Sequence, residues 1–293
     1  MGICVTHMHS SFNRSNDYTQ TVLSLASSVL SPLLGNGAPK TFSHLVVSTT
    51  CPDTLAPSLG QAINQHFYPH FADTHVFDLV QGCAGGVSAL ILASQLSELS
   101  NNHVAVLLAD AARQSVSQQN NIRSFFGNGA FTCVISPTST DQRMIHHKTK
   151  QYENLSELVS VKLGHRAHHE ILNNKENVLQ DPLDHLGLHM NPVMALKLLR
   201  HADEFYREFL DECQTKPDIM VFHQVNPEIL TLLEGIFAEH VDDFVNLADL
   251  VGNCGSASFA IALDLVKEKT PGKKVFLCSF GTGGVITAGL WQF

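Results

Sequence analysis

Asp78-Leu79-Val80-Gln81-Gly82-Cys83-Ala84-Gly85-Gly86 ends an apolar run and opens a segment of small and apolar residues, Val87-Ser88-Ala89-Leu90-Ile91-Leu92-Ala93. A strand that gives way to a buried helix through a glycine turn is a unit of a layered α/β fold. The turn sets a cysteine where the helix starts, over unpaired backbone N–H groups and the positive end of the helix dipole. That setting favours thiolate and predicts a pKa for Cys83 below the free-cysteine value of about 8.5. An inert reading stands beside it, because a lone cysteine is commonly a small buried hydrophobe.

The rest of the chain supplies the context. With 293 residues, 44% of them hydrophobic and 15% charged, it can bury one large core or two modest ones. A net charge of -9 and the absence of a Lys/Arg block argue against nucleic acid or an anionic membrane as partner. Seven scattered cysteines without Cys-x-x-Cys spacing point to reduced thiols and a cytoplasmic protein. No signal peptide and no membrane-spanning apolar run are recognisable. Seventeen histidines raise the question of a metal. The densest groups, around His7 and His9, His146 and His147, and His165, His168 and His169, lack carboxylate or cysteine neighbours at ligand spacing, so neither a metal nor a cofactor is expected.

Outward from Cys83, strands are predicted at 3–8, 44–49, 76–79, 103–110 and 131–135, with helices at 17–34, 57–67 and 84–99 between them. The near-continuous apolar run 103–110 suits a strand covered on both faces. Residues 141–186 are polar and read as a loop-rich insertion. Regular structure resumes with a helix over 191–212, a strand at 218–222, a helix after Pro227, a small-residue turn at 251–258 opening another helix, and strands at 275–280 and 285–293. The second half repeats the order of the first, which divides the chain into 1–140 and 141–293.

Three polar side chains then stand at strand ends or helix starts: Cys83, His223 and Asn253. Cysteine is both a strong nucleophile and a good leaving group, as thioester chemistry requires. Histidine and asparagine N–H groups can hold an enolate or oxyanion, each well-aimed donor contributing about 3 kcal/mol. Backbone N–H groups of a glycine loop such as Gly281-Thr282-Gly283-Gly284 can hold a second oxyanion. Taken singly, each residue has an ordinary structural reading as a core cysteine, a satisfied histidine or a helix-capping asparagine.

Five motifs in order, Gln81-Gly82-Cys83-Ala84-Gly85, Phe126-Gly127-Asn128-Gly129-Ala130, His223-Gln224-Val225-Asn226, Gly252-Asn253-Cys254-Gly255-Ser256-Ala257-Ser258 and Phe280-Gly281-Thr282-Gly283-Gly284, resemble the β-ketoacyl-acyl-carrier-protein synthase III group of the thiolase superfamily. The resemblance implies a five-layered αβαβα fold of two pseudo-duplicated halves and a dimer, either a homodimer or a pair with a second synthase-like chain. It implies that Cys83 carries the acyl group, that His223 and Asn253 hold the second substrate's carbonyl, and that the Cys83 and Thr282 amides form the other oxyanion hole. The donor would be an acyl carrier protein or another acyl thioester. The expected reaction is decarboxylative condensation with a malonyl-type substrate, in specialised polyketide or fatty-acid-derived biosynthesis. Acyl transfer to an alcohol or amine, and a subunit role in a heteromeric synthase, are the alternatives.

The chain departs from the family pattern in three places. It is shortened between Met8 and Asp17, where the family carries a tryptophan and an arginine that grip coenzyme A. Asn120 stands where an arginine stacks on the adenine, and Glu228 where a basic residue follows the His-Gln-x-Asn motif. These changes predict a weak grip on coenzyme A.

Overall fold

The computed structural model describes residues 2–16, 19–35, 37–153, 159–161, 171–173, 188–190 and 193–293. Two five-stranded sheets organise the described residues. The first contains β1 (Gly2–Asn13), β2 (His44–Ser48), β3 (His75–Leu79), β4 (Val104–Asp110) and β5 (Asn128–Thr138), in the order β1-β5-β4-β2-β3. The second contains β6 (Arg143–Gln151), β9 (Ile219–Phe222), β10 (Asp243–Val245), β11 (Lys274–Gly281) and β12 (Val285–Gln292), in the order β10-β9-β11-β12-β6. Short strands β7 (Val159–Val161) and β8 (Leu188–Met190) pair separately. In each large sheet three parallel strands lie to one side, and two strands continue antiparallel on the other. The two sheets therefore share one topology.

The helices are α1 (Val22–Gly35), α2 (Leu59–His66), α3 (Gly85–Ser100), α4 (Val193–Cys213), α5 (Pro227–Phe237), α6 (Ala248–Val251) and α7 (Ser258–Leu265). Strand periodicity builds the layers. On β4, Val104, Val106 and Leu108 join one core with α3 and with Phe259, Ile261 and Leu263 of α7. The alternate residues Ala105, Leu107 and Ala109 face a second core with α1 and α2. On β11, Val275 and Leu277 enter the α3–α7 core, while Phe276, Cys278 and Phe280 face α4 and α5. The result is helix, sheet, central helix pair, sheet, helix: the αβαβα thiolase-like arrangement.

Two expectations are corrected. Residues 143–151 are strand β6, where the sequence reads as part of a loop-rich insertion. The strand lies at the edge of its sheet, so its outward positions carry charge: Lys148 pairs with Glu208 and Glu212 of α4, and Lys150 with Glu204 and Glu208. Edge strands mix apolar and charged residues and lose the continuous apolar signal of a central strand. Residues 154–158, 162–170 and 174–187 of that stretch, with His165, His168 and His169, lie outside the described residues. Strand β1 is also longer than residues 3–8. It runs to Asn13 along β5, with a register shift between Thr6 and His9, and so passes through part of the region where the chain is shortened.

The central helices approach closely because α3 starts with glycine. A Cβ at Gly86 would lie 2.1 Å from the Ser256 carbonyl oxygen. Gly86→Ala is expected to destabilise the protein by about 1–3 kcal/mol through overpacking. Gly235, exposed in α5 with nothing near its Cβ position, is the contrast: Gly235→Ala is expected to stabilise by about 0.5–1 kcal/mol. Urea midpoints of the two variants should move in opposite directions.

Candidate active site

Cys83 lies in a 3-10 turn, Gly82–Ala84, between the end of β3 and the first turn of α3. Gly82 has a φ of 56°, and a Cβ there would lie 2.2 Å from Thr282 Oγ1 and 3.0 Å from the Thr282 amide nitrogen. Only glycine lets the cysteine turn close on the loop between β11 and β12. Ser279 of β11 donates to the Cys83 carbonyl at 2.7 Å. The cysteine is half-buried, and its own backbone N–H donates to Sγ.

The thiolate expected from the helix start is not what the surroundings favour. Burial, and secondly the carboxylate of Asp110, push the Cys83 thiol up to about 12. The desolvation penalty outweighs the pull of a helix that begins two residues later. Asp110, buried at the end of β4, accepts bonds from Thr49 Oγ1 (3.0 Å), Thr50 Oγ1 (2.7 Å), the Thr50 and Cys51 amides, and the Ser256 amide and hydroxyl (2.6 and 2.7 Å). Burial raises its pKa, and these donors act in the opposite direction. An aspartate closing an otherwise apolar run was the sequence signal for this group.

His223 follows β9 and is 2% exposed. Its amide donates to the Cys278 carbonyl at 2.8 Å, and its Nδ1 lies 2.6 Å from Ser258 Oγ. Desolvation lowers its pKa to about 3, so the ring is neutral near pH 7. The neighbouring motif residues are structural. Gln224 Nε2 donates to the Phe222 carbonyl at 2.7 Å and its Oε1 accepts from the Leu247 amide at 2.8 Å. Asn226 caps α5, with Pro227 in the first turn.

Asn253 stands two residues before the 255–257 turn that leads into α7; the counterpart of Cys83 in that turn is Ser256, each following a glycine at positive φ. His223 corresponds to the loop after β2, so the three residues are not at one repeated position. The Phe126-Gly127 motif grips the Asn253 backbone: its amide donates to Phe125 (2.8 Å) and its carbonyl accepts from Gly127 (3.1 Å). Its Oδ1 accepts from the Gly255 amide at 3.1 Å, leaving the side-chain NH2 without a partner among the described residues. Arg14, not singled out from the sequence, donates to the carbonyls of Ser124, Ala248 and Asp249, tying the end of β1 to both segments that flank Asn253. Ser258, quoted in a motif but assigned no role, links this turn to His223.

Cys83 and Thr282 thus meet at the glycine loop, and His223 and Asn253 are joined through the 255–258 turn. Asn120 caps the 3-10 turn 121–125, its Oδ1 accepting from the Ile122 amide at 3.1 Å. Glu228 occupies the first turn of α5, where an acid complements the helix dipole. Among the described residues no group of three His, Cys, Asp or Glu side chains could hold a metal, and no helix is long and apolar enough to cross a membrane.

These shifts make stability depend on pH at both ends. Burial raises the thiols of Cys51, Cys83, Cys133, Cys254 and Cys278. The unfolded chain therefore releases those protons first, and stability falls as pH rises above about 8.5. The folded pKa of His223 lies below its unfolded value of 6.5, so the unfolded chain binds that proton first. Its contribution is present above about pH 6.5 and is lost on acidification at up to about 1.4 kcal/mol per pH unit. The raised carboxyl of Asp110 opposes His223 on the acid side, so the test is alkaline: urea midpoints should fall between about pH 7 and 10, and an unchanged midpoint would contradict the burial of these thiols.

Residues 214–293 match the family described as 3-oxoacyl-[acyl-carrier-protein] synthase III, C terminal. The chain is 25% identical over 251 residues to the β-ketoacyl-[acyl-carrier-protein] synthase III of Rickettsia prowazekii, covering 82% of this chain and 73% of the relative. The corresponding protein of Rickettsia felis is 26% identical over the same shares. Among solved structures, the 3-oxoacyl-(acyl carrier protein) synthase III of Pseudomonas aeruginosa PAO1 superposes with a TM-score of 0.81 at 16% identity, covering 100% of this chain and 98% of the other. The priming β-ketosynthase of the R1128 polyketide pathway gives 0.79 at 22% identity, over 94% and 83%. With the five ordered motifs and the shared αβαβα layers, these comparisons show a chain with the thiolase-like fold that is similar to β-ketoacyl-acyl-carrier-protein synthase III proteins, its C-terminal residues 214–293 matching that family's model.

Proposed function

We propose that the protein is a decarboxylating condensing enzyme that acylates Cys83 and joins the acyl group to a malonyl-type substrate. The observation that carries this reading is that His223 Nε2 and the Asn253 side-chain NH2 have no partner among the described residues, and the Cys83 thiol none beyond its own backbone N–H, although the turns that bear them are firmly bonded. In the first step Sγ forms a bond to the acyl carbonyl carbon while the donor's C–S bond breaks. The thiol proton leaves with the departing thiolate, which is released as a free thiol. In the second step the malonyl-type substrate loses carbon dioxide, and His223 and Asn253 hold the resulting enolate oxygen. The carbanion attacks the acyl carbon, the Cys83 and Thr282 amides hold the tetrahedral oxyanion, and collapse expels the Cys83 thiolate, which is reprotonated.

The competing reading, transfer to an alcohol or amine, needs His223 as general base. An imidazole whose pKa is lowered to about 3 is a poor base at neutral pH, and that favours condensation. An acyl carrier protein is the proposed donor, because Asn120 and Glu228 replace cationic contacts to a nucleotide. The outer edge of β3, unpaired among the described residues and with Phe77 42% and Val80 87% exposed, is the proposed contact for a second synthase chain. A cytoplasmic role in specialised acyl biosynthesis completes the proposal.

Mass spectrometry of the protein incubated with acyl thioesters should show an acyl adduct on Cys83 that is absent from Cys83→Ala. No adduct with any donor would sink the enzyme reading and leave a scaffold subunit. With a malonyl carrier, carbon dioxide release is expected. His223→Ala and Asn253→Ala should each slow it by about 100-fold or more while the acyl adduct persists.

A further inference from the structure

The Ser258 hydroxyl sits among three groups. It is 2.6 Å from His223 Nδ1, 3.3 Å from the Gln224 amide nitrogen and 3.3 Å from the Gly255 carbonyl. A hydroxyl has one proton to give and two lone pairs. The Gln224 N–H can only donate, so it occupies one lone pair. The Gly255 carbonyl already accepts the backbone N–H of Ser258 itself. Its distance from the hydroxyl is long for an O–H donor, whereas 2.6 Å to Nδ1 is short and strong. The distances favour the hydroxyl proton on the line to Nδ1, with Nδ1 as the unprotonated ring nitrogen. The opposite arrangement, Nδ1–H donating to the serine and the hydroxyl to Gly255, would need an N–H···O bond shorter than usual at 2.6 Å and an O–H···O bond longer than usual at 3.3 Å.

We infer that Ser258 is a positioning residue that holds His223 in the tautomer with its proton on Nε2, making the imidazole a hydrogen-bond donor to a developing oxyanion and not a general base. The inference deepens the condensation reading and rests on it for its catalytic meaning. The physical logic is that of any histidine whose outer nitrogen is set by the bond its inner nitrogen makes. The environment is dry: Ser258 is fully buried and His223 is 2% exposed, so water does not compete for Nδ1. The serine opens α7, the helix reached directly from the Asn253 turn. One segment thus presents the Asn253 amide and fixes the proton of the second donor. Both groups offer N–H bonds to one substrate oxygen, as stabilisation of an enolate requires.

Nitrogen-15 NMR of the histidine rings in the full-length protein, with the His223 signal assigned by its loss in His223→Gln, tests this directly. Wild type is expected to show an unprotonated, pyridine-like Nδ1 and a protonated Nε2. Ser258→Ala should move the ring toward the other tautomer and slow decarboxylation of a malonyl carrier at least about tenfold, with acylation of Cys83 unchanged. Ser258→Thr, which keeps the hydroxyl, should restore the wild-type ring spectrum. A wild-type ring protonated at Nδ1 would overturn the inference, as would a Ser258→Ala protein whose tautomer and decarboxylation rate are unchanged. If wild type neither takes up an acyl group nor releases carbon dioxide, the condensation reading fails by itself, and the ring spectra alone decide the role of Ser258.

Discussion

The buried carboxylate of Asp110 is the constraint on which the centre of the molecule depends. It belongs to the last residue of β4, and its donors come from the loop after β2 and from the turn that opens α7 in the other half. A carboxylate out of water is costly by several kcal/mol unless nearly all its lone pairs are served, so these segments are held in one arrangement around it. Gly255, at a φ of 54°, brings its backbone so near that a Cβ would lie 2.3 Å from Oδ2. Ser256 is fixed on one side, and Asn253 and Ser258 stand on either flank of it. The bond from Ser279 to Cys83 then fastens the Gly82–Ala84 turn to β11. The halves are registered to each other by these polar contacts as well as by the close packing of the central helix pair.

That arrangement sets the electrostatics of the site. The carboxylate that locks the turns also repels charge on the thiol, and burial does the rest. The resting site pairs a neutral thiol with a neutral imidazole, in contrast to the thiolate–imidazolium pairs of activated cysteine enzymes. Such a site spends little on keeping charges apart before substrate arrives. In the proposed condensation, stabilisation falls to fixed N–H donors aimed at the developing oxyanion.

Much of the fold was legible because strands buried on both faces and helices buried on all sides leave continuous apolar runs. Val104–Asp110 and the α3 segment are the clearest cases. Strand β6 was not legible, because an edge strand salted with Lys148 and Lys150 for α4 carries the composition of a loop. The full length of β1 was hidden for the same reason: its residues are half-buried, and polar ones such as Ser10 find partners only across the fold, here Asp264 of α7.

The sequence by itself determined a layered α/β order of elements and set Cys83, His223 and Asn253 at strand ends and helix starts, because apolar periodicity and glycine turns are local features; the αβαβα class came with the resemblance that the five motifs carry. Local sequence also argued for a thiolate at Cys83, because a helix start is a local feature. Tertiary structure decided otherwise. Desolvation and the field of Asp110 depend on which distant segments close over the thiol, and no spacing along the chain encodes them. The same holds for Ser258: five residues past Asn253 in sequence, it acquires its role only because β9 delivers the imidazole of His223 to its hydroxyl.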